Sequence, residues 1–303
     1  MQHIKFDNNA FNFHGRWETT ADGVKSHWLR PYFEFWCDKD FKLCISSESG
    51  AFSVKVNGQE VEEKDGLFVL NEKSLIRVTA NDNGKPLIFK GIETDGYVER
   101  AESRKKHILF IGDSLTHSPY SHSVVLPREL DYDYTGVAQG GMSLMVGRGY
   151  LNLVHRAGFE GMQVAFFKDR SPVEQGEMLD YDFSLAETPD FIIVNIGTND
   201  HLTDDDYAID FIKAYIEFIG KVHAMYPNAP MYLALPVADT EGGFRRNTIE
   251  KASKECEKLY KGVVYISSRN WNVEISSDGV HPTPEGYGTY AAELLKVLKT
   301  FGV

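Results

Sequence analysis

The chain has 303 residues, 42% of them hydrophobic and 25% charged, an ordinary balance for a globular protein with a large buried core. Its net charge of −12 leaves no basic stripe to neutralise phosphates, which argues against nucleic acid or an anionic membrane surface as partner. No run approaches the ~20 apolar residues that span a bilayer. Three cysteines, Cys37, Cys44 and Cys256, make an odd set with no CxxC, so buried free thiols are expected, although Cys37 and Cys44 could meet across a hairpin. Met1–Phe13 has neither a basic n-region nor an apolar h-region; a cytoplasmic protein is expected, or a secreted one where a leader has been removed.

The first hundred residues read as short, aromatic, alternating strands. Ser53-Val54-Lys55-Val56 and Glu60-Val61 flank Asn57-Gly58, a type I′ hairpin signal. Tyr32–Trp36, Ile76–Thr79 and Leu87–Phe89 continue the pattern, with a turn at Asn81–Gly84. Such spacing predicts an antiparallel sandwich or jelly roll over residues 1–100. Trp17, Trp28 and Trp36 fall here; core filling is favoured over a sugar-stacking platform. The charged stretch Thr94–Lys106 marks the boundary with a second domain, 106–303.

After Lys106 strands alternate with helices. Ile108–Ile111, Asp133–Ala138, Phe191–Ile196, Met231–Leu235 and Val263–Ile266 are apolar enough for a sheet buried on both faces. A helix is predicted from Thr203 to about Met225, with Tyr207, Phe211, Tyr215, Phe218/Ile219 and Val222 on one face and Pro227 ending it. A last helix opens at Pro284 and runs to about Thr300. The alternation predicts an α/β fold with a parallel, doubly wound sheet and flanking helices. Segment Gly158–Asp190 is irregular and reads as a long loop over the site.

Open α/β sheets place ligands in the loops after strands. Gly112-Asp113-Ser114-Leu115 follows the first of these strands, Gln139–Ser143 the second and Asn195–Asp200 the third, while Asp278–Pro282 precedes the last helix. Acyl transfer needs a hydroxyl, a base, a group that orients the base, and donors for an oxyanion. Ser114 supplies the hydroxyl, unless it serves only as a helix cap. His281 is the natural base and Asp278, three residues earlier, can accept from its other ring nitrogen. Gly141 N–H, the Asn199 side chain and the N–H of Ser114 itself are candidate oxyanion donors. Asp113 reads as a structural cap, and Trp271 equally as a substrate wall or a core filler. The Gly-x-Ser-x-Gly elbow of α/β hydrolases is absent. His117 and His122 have no partner at a zinc-ligand spacing and no Cys/His pair elsewhere supplies one, so no metal site is predicted. The glycines of 140–149 lack a Walker lysine, which makes a nucleotide reading poor.

Together the four stretches resemble the sequence blocks of the SGNH (GDSL) hydrolases: Gly-Asp-Ser-Leu at 112–115, Gly140-Gly141, Gly-Thr-Asn-Asp at 197–200, and Asp-Gly-Val-His-Pro at 278–282. The resemblance implies a flavodoxin-like domain in which Ser114 is the nucleophile, His281 the base, Asp278 the orienting acid, and Ser114, Gly141 (or its neighbour Gly140) and Asn199 the oxyanion donors. A sandwich ahead of such a domain, with Phe13-His14-Gly15-Arg16-Trp17 near its start, is similar to carbohydrate esterase family 2. That likeness implies a serine esterase removing O-acetyl groups from xylan- or mannan-derived oligosaccharides, without cofactor or metal. A lipid- or thioester-cleaving esterase and a non-catalytic glycan-binding protein are the alternatives. The oligomeric state, the sugar and the acetyl position stay open.

Overall fold

The computed structural model describes residues 1–47, 50–81, 86–146, 159–202, 205–238 and 243–303. The chain divides into two compact units, Met1–Arg104 with Lys168–Glu187, and Lys105–Phe167 with Thr188–Val303. Among the described residues no helix is long and apolar enough to cross a membrane.

Among the described residues the first unit has nine strands, all antiparallel: β1 Gln2–Lys5, β2 Asn12–Thr20, β3 Gly23–Cys37, β4 Phe41–Ser46, β5 Phe52–Val56, β6 Gln59–Val61, β7 Ser74–Ala80, β8 Ile88–Thr94 and β9 Val98–Arg100. The Asn57-Gly58 turn forms as expected, with both residues at positive φ (49° and 82°) and Val56 facing Gln59. The turn expected at 81–84 lies largely outside the described residues. The long β3 serves two neighbourhoods. Val24 and Lys25 pair with β8, whereas Tyr32–Cys37 pair with β7. Between these halves Trp28 and Arg30 take left-handed φ values of 65° and 47°, a conformation a bulky residue adopts only when held there.

The holding groups come from the distant segment 168–187. Glu174 Oε1 accepts from the Trp28 backbone N–H at 3.0 Å and Oε2 meets His27 Nδ1 at 2.5 Å, while the Trp28 indole N–H donates to the Lys168 carbonyl at 3.3 Å. The bend in β3 removes a donor from the strand ladder, and the second segment satisfies it. This differs from the expected long loop within an unbroken 106–303 domain. The partners lie about 150 residues upstream, and no local pattern announces them. Phe11, Phe33, Phe35, Phe41 and Phe89 fill the core. Trp17 packs on it and Trp28 is buried, so these rings fill space as the sequence favoured.

Among the described residues the second unit carries five parallel strands: β10 His107–Gly112, β11 Asp133–Ala138, β12 Phe191–Asn195, β13 Met231–Ala234 and β14 Val263–Ile266, in the order β14-β13-β12-β10-β11. Every residue of β10 is buried, which is why the sequence there is a continuous apolar run and not an alternating one. Six helices are described: α1 Ser114–His117, α2 His122–Leu130, α3 Met162–Ala165, α4 Asp205–Met225, α5 Phe244–Leu259 and α6 Pro284–Thr300. The face predicted for α4 is the buried one, Tyr207, Phe211, Tyr215, Phe218, Ile219 and Val222 included; its expected Thr203 cap lies outside the described residues. Because β10 lies between β11 and β12, the β10–β11 and β11–β12 connections run in opposite directions across the sheet, and the carboxyl end of β10 is the switch point where open α/β sheets bind ligands.

Candidate active site

Gly112 ends β10 in register with Ala138 of β11 and Asn195 of β12, so the three following loops leave the sheet at one level. A Cβ on Gly112 would lie 2.1 Å from Thr116 Oγ1 and 2.7 Å from the Asn195 carbonyl; glycine alone lets helix α1 start this close to the strand. Asp113 caps that helix, accepting from Leu115 N–H at 3.0 Å and from Thr198 N–H at 3.3 Å. Burial pushes its carboxyl up to about 6. Ser114, the first helical residue, is thereby fixed at the rim of the sheet, half-buried.

His281 arrives from the other end of the unit. Its Nε2 lies 2.8 Å from Ser114 Oγ and its Nδ1 2.6 Å from Asp278 Oδ2. The loop that holds it is closed by Ser276 N–H to His281 O at 2.7 Å and a bridge between Ile275 and Pro282. Asp278 is saturated with donors. Besides the imidazole it receives the backbone N–H groups of His281 and Val280 and the Ser276 hydroxyl, at 2.8–2.9 Å. The hydrogen bond from the His281 ring, then those from the two backbone N–H groups, hold this carboxyl well below the usual carboxylate range. An ionised carboxylate only accepts, so Nδ1 carries the ring hydrogen and Nε2 presents its lone pair to the Ser114 hydroxyl. That is the tautomer a general base requires.

The expected oxyanion donors occupy the two neighbouring loops. Gly141, at φ 76°, follows β11. Asn199 follows β12 and donates from Nδ2 to the Met142 carbonyl at 3.1 Å, tying the two loops together. Asp200, which sequence reasoning left without a role, completes the tie: its buried carboxylate accepts from Leu144 N–H at 2.8 Å and Met145 N–H at 3.1 Å. Burial, reinforced by the charge of Asp113, pushes its carboxyl up to about 7 against those two bonds. The only signal for Asp200 was its place beside Asn199. Trp271 meets Tyr290 edge-to-face with ring centres 4.9 Å apart and packs on the core that holds Ile108 and Phe110. Trp271 is only partly buried, and this contact accounts for the packing half of the two roles the sequence offered it.

The profile of the GDSL-like Lipase/Acylhydrolase family matches residues 110–288, more than half of the chain and all four of these loops. The chain belongs to the GDSL-like lipase/acylhydrolase family. No curated protein sequence matches it. Among solved structures, this family member is similar to an acetyl xylan esterase from the rumen bacterium Butyrivibrio proteoclasticus, at 18% identity over 99% of each chain and a TM-score of 0.75. A family two carbohydrate esterase from Cellvibrio japonicus matches at 16% identity over 99% of this chain and 97% of that one, TM-score 0.80. Another, from Clostridium thermocellum in complex with cellohexaose, matches at 19% identity over 96% and 99%, TM-score 0.76. At these identities the likeness establishes a shared fold along nearly the whole chain. Membership makes the chemistry of the site that of an acyl-bond hydrolase.

Proposed function

We propose that the protein is a serine esterase that removes O-acetyl groups from carbohydrate, with xylan- or mannan-derived oligosaccharides as the substrate class. The observation that carries this reading is the unbroken hydrogen-bonded series Asp278–His281–Ser114. In this reading Ser114 Oγ attacks the acetyl carbonyl carbon as its proton passes to His281 Nε2. The oxyanion is held by Ser114 N–H, Gly141 N–H and the Asn199 amide. Collapse breaks the bond to the sugar oxygen, which leaves with the proton from Nε2. Water then attacks the acetyl-serine, with His281 again taking the proton, and acetate departs. Asp278 stabilises the imidazolium formed in each half-reaction.

The sugar part of the reading rests on the fold shared with carbohydrate esterases, first unit included; we read that unit as a jelly-roll-like accessory sandwich. Acetate release from a panel of acetylated xylo- and manno-oligosaccharides, run beside a long-chain p-nitrophenyl ester, tests it. Turnover of the acetylated sugars at least tenfold more efficient than of the long-chain ester is expected, and the reverse order makes this a lipid-type esterase. Labelling by a fluorophosphonate probe is expected at one site and absent in Ser114→Ala; full labelling of that variant removes Ser114 from its role.

A further inference from the structure

On the first unit, three ligand-type side chains from three strands come together although they are far apart in sequence. His3 of β1 pairs directly with Glu93 of β8, so their side chains share one face of the sheet. On the other side of β8, Cys44 of β4 pairs with Gly91, two residues from Glu93 and therefore on the same face. Gly91 contributes no side chain to that face, and the backbone of β1 at Ile4 and Lys5 packs directly against it. His3 Nδ1 lies 3.8 Å from Cys44 Sγ, and one ligand atom from each of His3, Cys44 and Glu93 lies within 4.8 Å of the other two. A tetrahedral zinc ion bound by one sulfur and one imidazole nitrogen separates them by about 3.6 Å, from bond lengths of about 2.3 and 2.0–2.1 Å. The observed spacing needs a shift of only a few tenths of an ångström. His3 is exposed and Cys44 and Glu93 half-buried, so an ion has a path in.

We propose that His3, Cys44 and Glu93 form a surface site for a zinc-class divalent cation, with three protein ligands and the fourth position open to solvent. A thiolate beside an imidazole selects zinc, cobalt or cadmium over magnesium or calcium. Binding expels the thiol proton to solvent as the Sγ–metal bond forms. The ion would staple β1, at the start of the chain, to β4 across β8. No spacing rule exposes such a site, because its ligands lie 41 and 49 residues apart and meet only through strand register.

The test is titration of the full chain, stripped with chelator, by cobalt(II) chloride followed by zinc(II). One cobalt per chain is expected, with a near-ultraviolet thiolate-to-cobalt band and four-coordinate visible bands that zinc abolishes. Cys44→Ser should remove the charge-transfer band and weaken zinc binding more than tenfold. His3→Gln, a change at an exposed position, should weaken it similarly while keeping the band. Cys256→Ser, at a buried thiol elsewhere, should change neither. A thiolate band that survives Cys44→Ser, or zinc affinity indifferent to both Cys44→Ser and His3→Gln, overturns the assignment, as does absence of any cobalt band at millimolar metal.

Discussion

Asn199 and Asp200 are adjacent, and both reach across to the loop after β11. Asn199 Nδ2 bonds the Met142 carbonyl, and the Asp200 carboxylate bonds the backbone N–H groups of Leu144 and Met145. Their tests differ because one donates and the other accepts. Asn199→Ala removes an amide donor and is expected to lower kcat on acetylated substrate by on the order of 10²–10³, with KM little changed. An unaltered kcat in steady-state kinetics removes Asn199 from the oxyanion hole. Asp200→Asn leaves one acceptor oxygen where two N–H groups converge and turns an NH2 toward one of them. It is expected to cost about 1–3 kcal/mol in a denaturant titration and to lower kcat as the glycine loop loosens. None of these three bonds was legible in the sequence. The motif marks both residues, but hydrogen-bond partners 55–57 positions away appear only when two strands align. The Asp278–His281 pair was legible, because three residues on one turn fix its geometry locally.

At the scale of elements, the parallel strands and the long helices α4 and α6 were readable from apolar runs and from a period of 3.6, whereas α5, Phe244–Leu259, was not predicted. Helix α6 begins at Pro284 as expected, capped by Thr283, whose Oγ1 accepts from Gly286 N–H at 3.0 Å and donates to Glu274 Oε2 at 2.9 Å. This cap stands two residues after His281, so it also anchors the loop that carries the imidazole. Thr283→Ala is expected to destabilise the second unit by about 1 kcal/mol, measured by urea unfolding. Thr283→Ser keeps the acceptor oxygen and is expected to retain the parent stability in the same titration; equal losses in the two variants would remove the cap from the explanation. Strand β3 was legible only in part. Its bend at Trp28 depends on Glu174, and a strand pattern in sequence says nothing of the carboxylate that lets it turn.

For the molecule as a whole, buried ionisable groups set the response to acid. His122, at the start of α2, is buried between the rings of Phe110 and Tyr290, and neither ring nitrogen finds a hydrogen-bond partner among the described residues. Burial lowers its pKa to about 3, against about 6.5 in an unfolded chain. Between those values the unfolded state takes up a proton that the folded state refuses. The stability linked to His122 is therefore present above pH ~6.5 and is lost as pH falls toward 3, by at most about 1.4 kcal/mol per pH unit. Asp113 and Asp200, raised to about 6 and about 7, act in the opposite sense. Their contribution is present below pH ~3.9 and is lost as pH rises through 6–7. Replacing His122 by Phe is expected to stabilise the second unit relative to the parent increasingly as pH is lowered from 7 to 5. A stability difference between the two that does not change with pH in guanidinium titrations would contradict this.

The amino-acid sequence by itself determined which segments are buried strands, where α4 ends and α6 begins, and which four loops carry candidate reactive residues. Those features depend on neighbours within a few positions: apolar runs, caps, a glycine where a side chain cannot fit. Only the tertiary structure decided that Ser114 and His281, 167 residues apart, stand 2.8 Å from one another, that residues 168–187 fold with the first unit, and that Trp271 packs edge-to-face on Tyr290. The physical reason is the same in each case. Such contacts are short-range in space and carry no period along the chain, so they exist only once strand register and helix packing have brought their partners together.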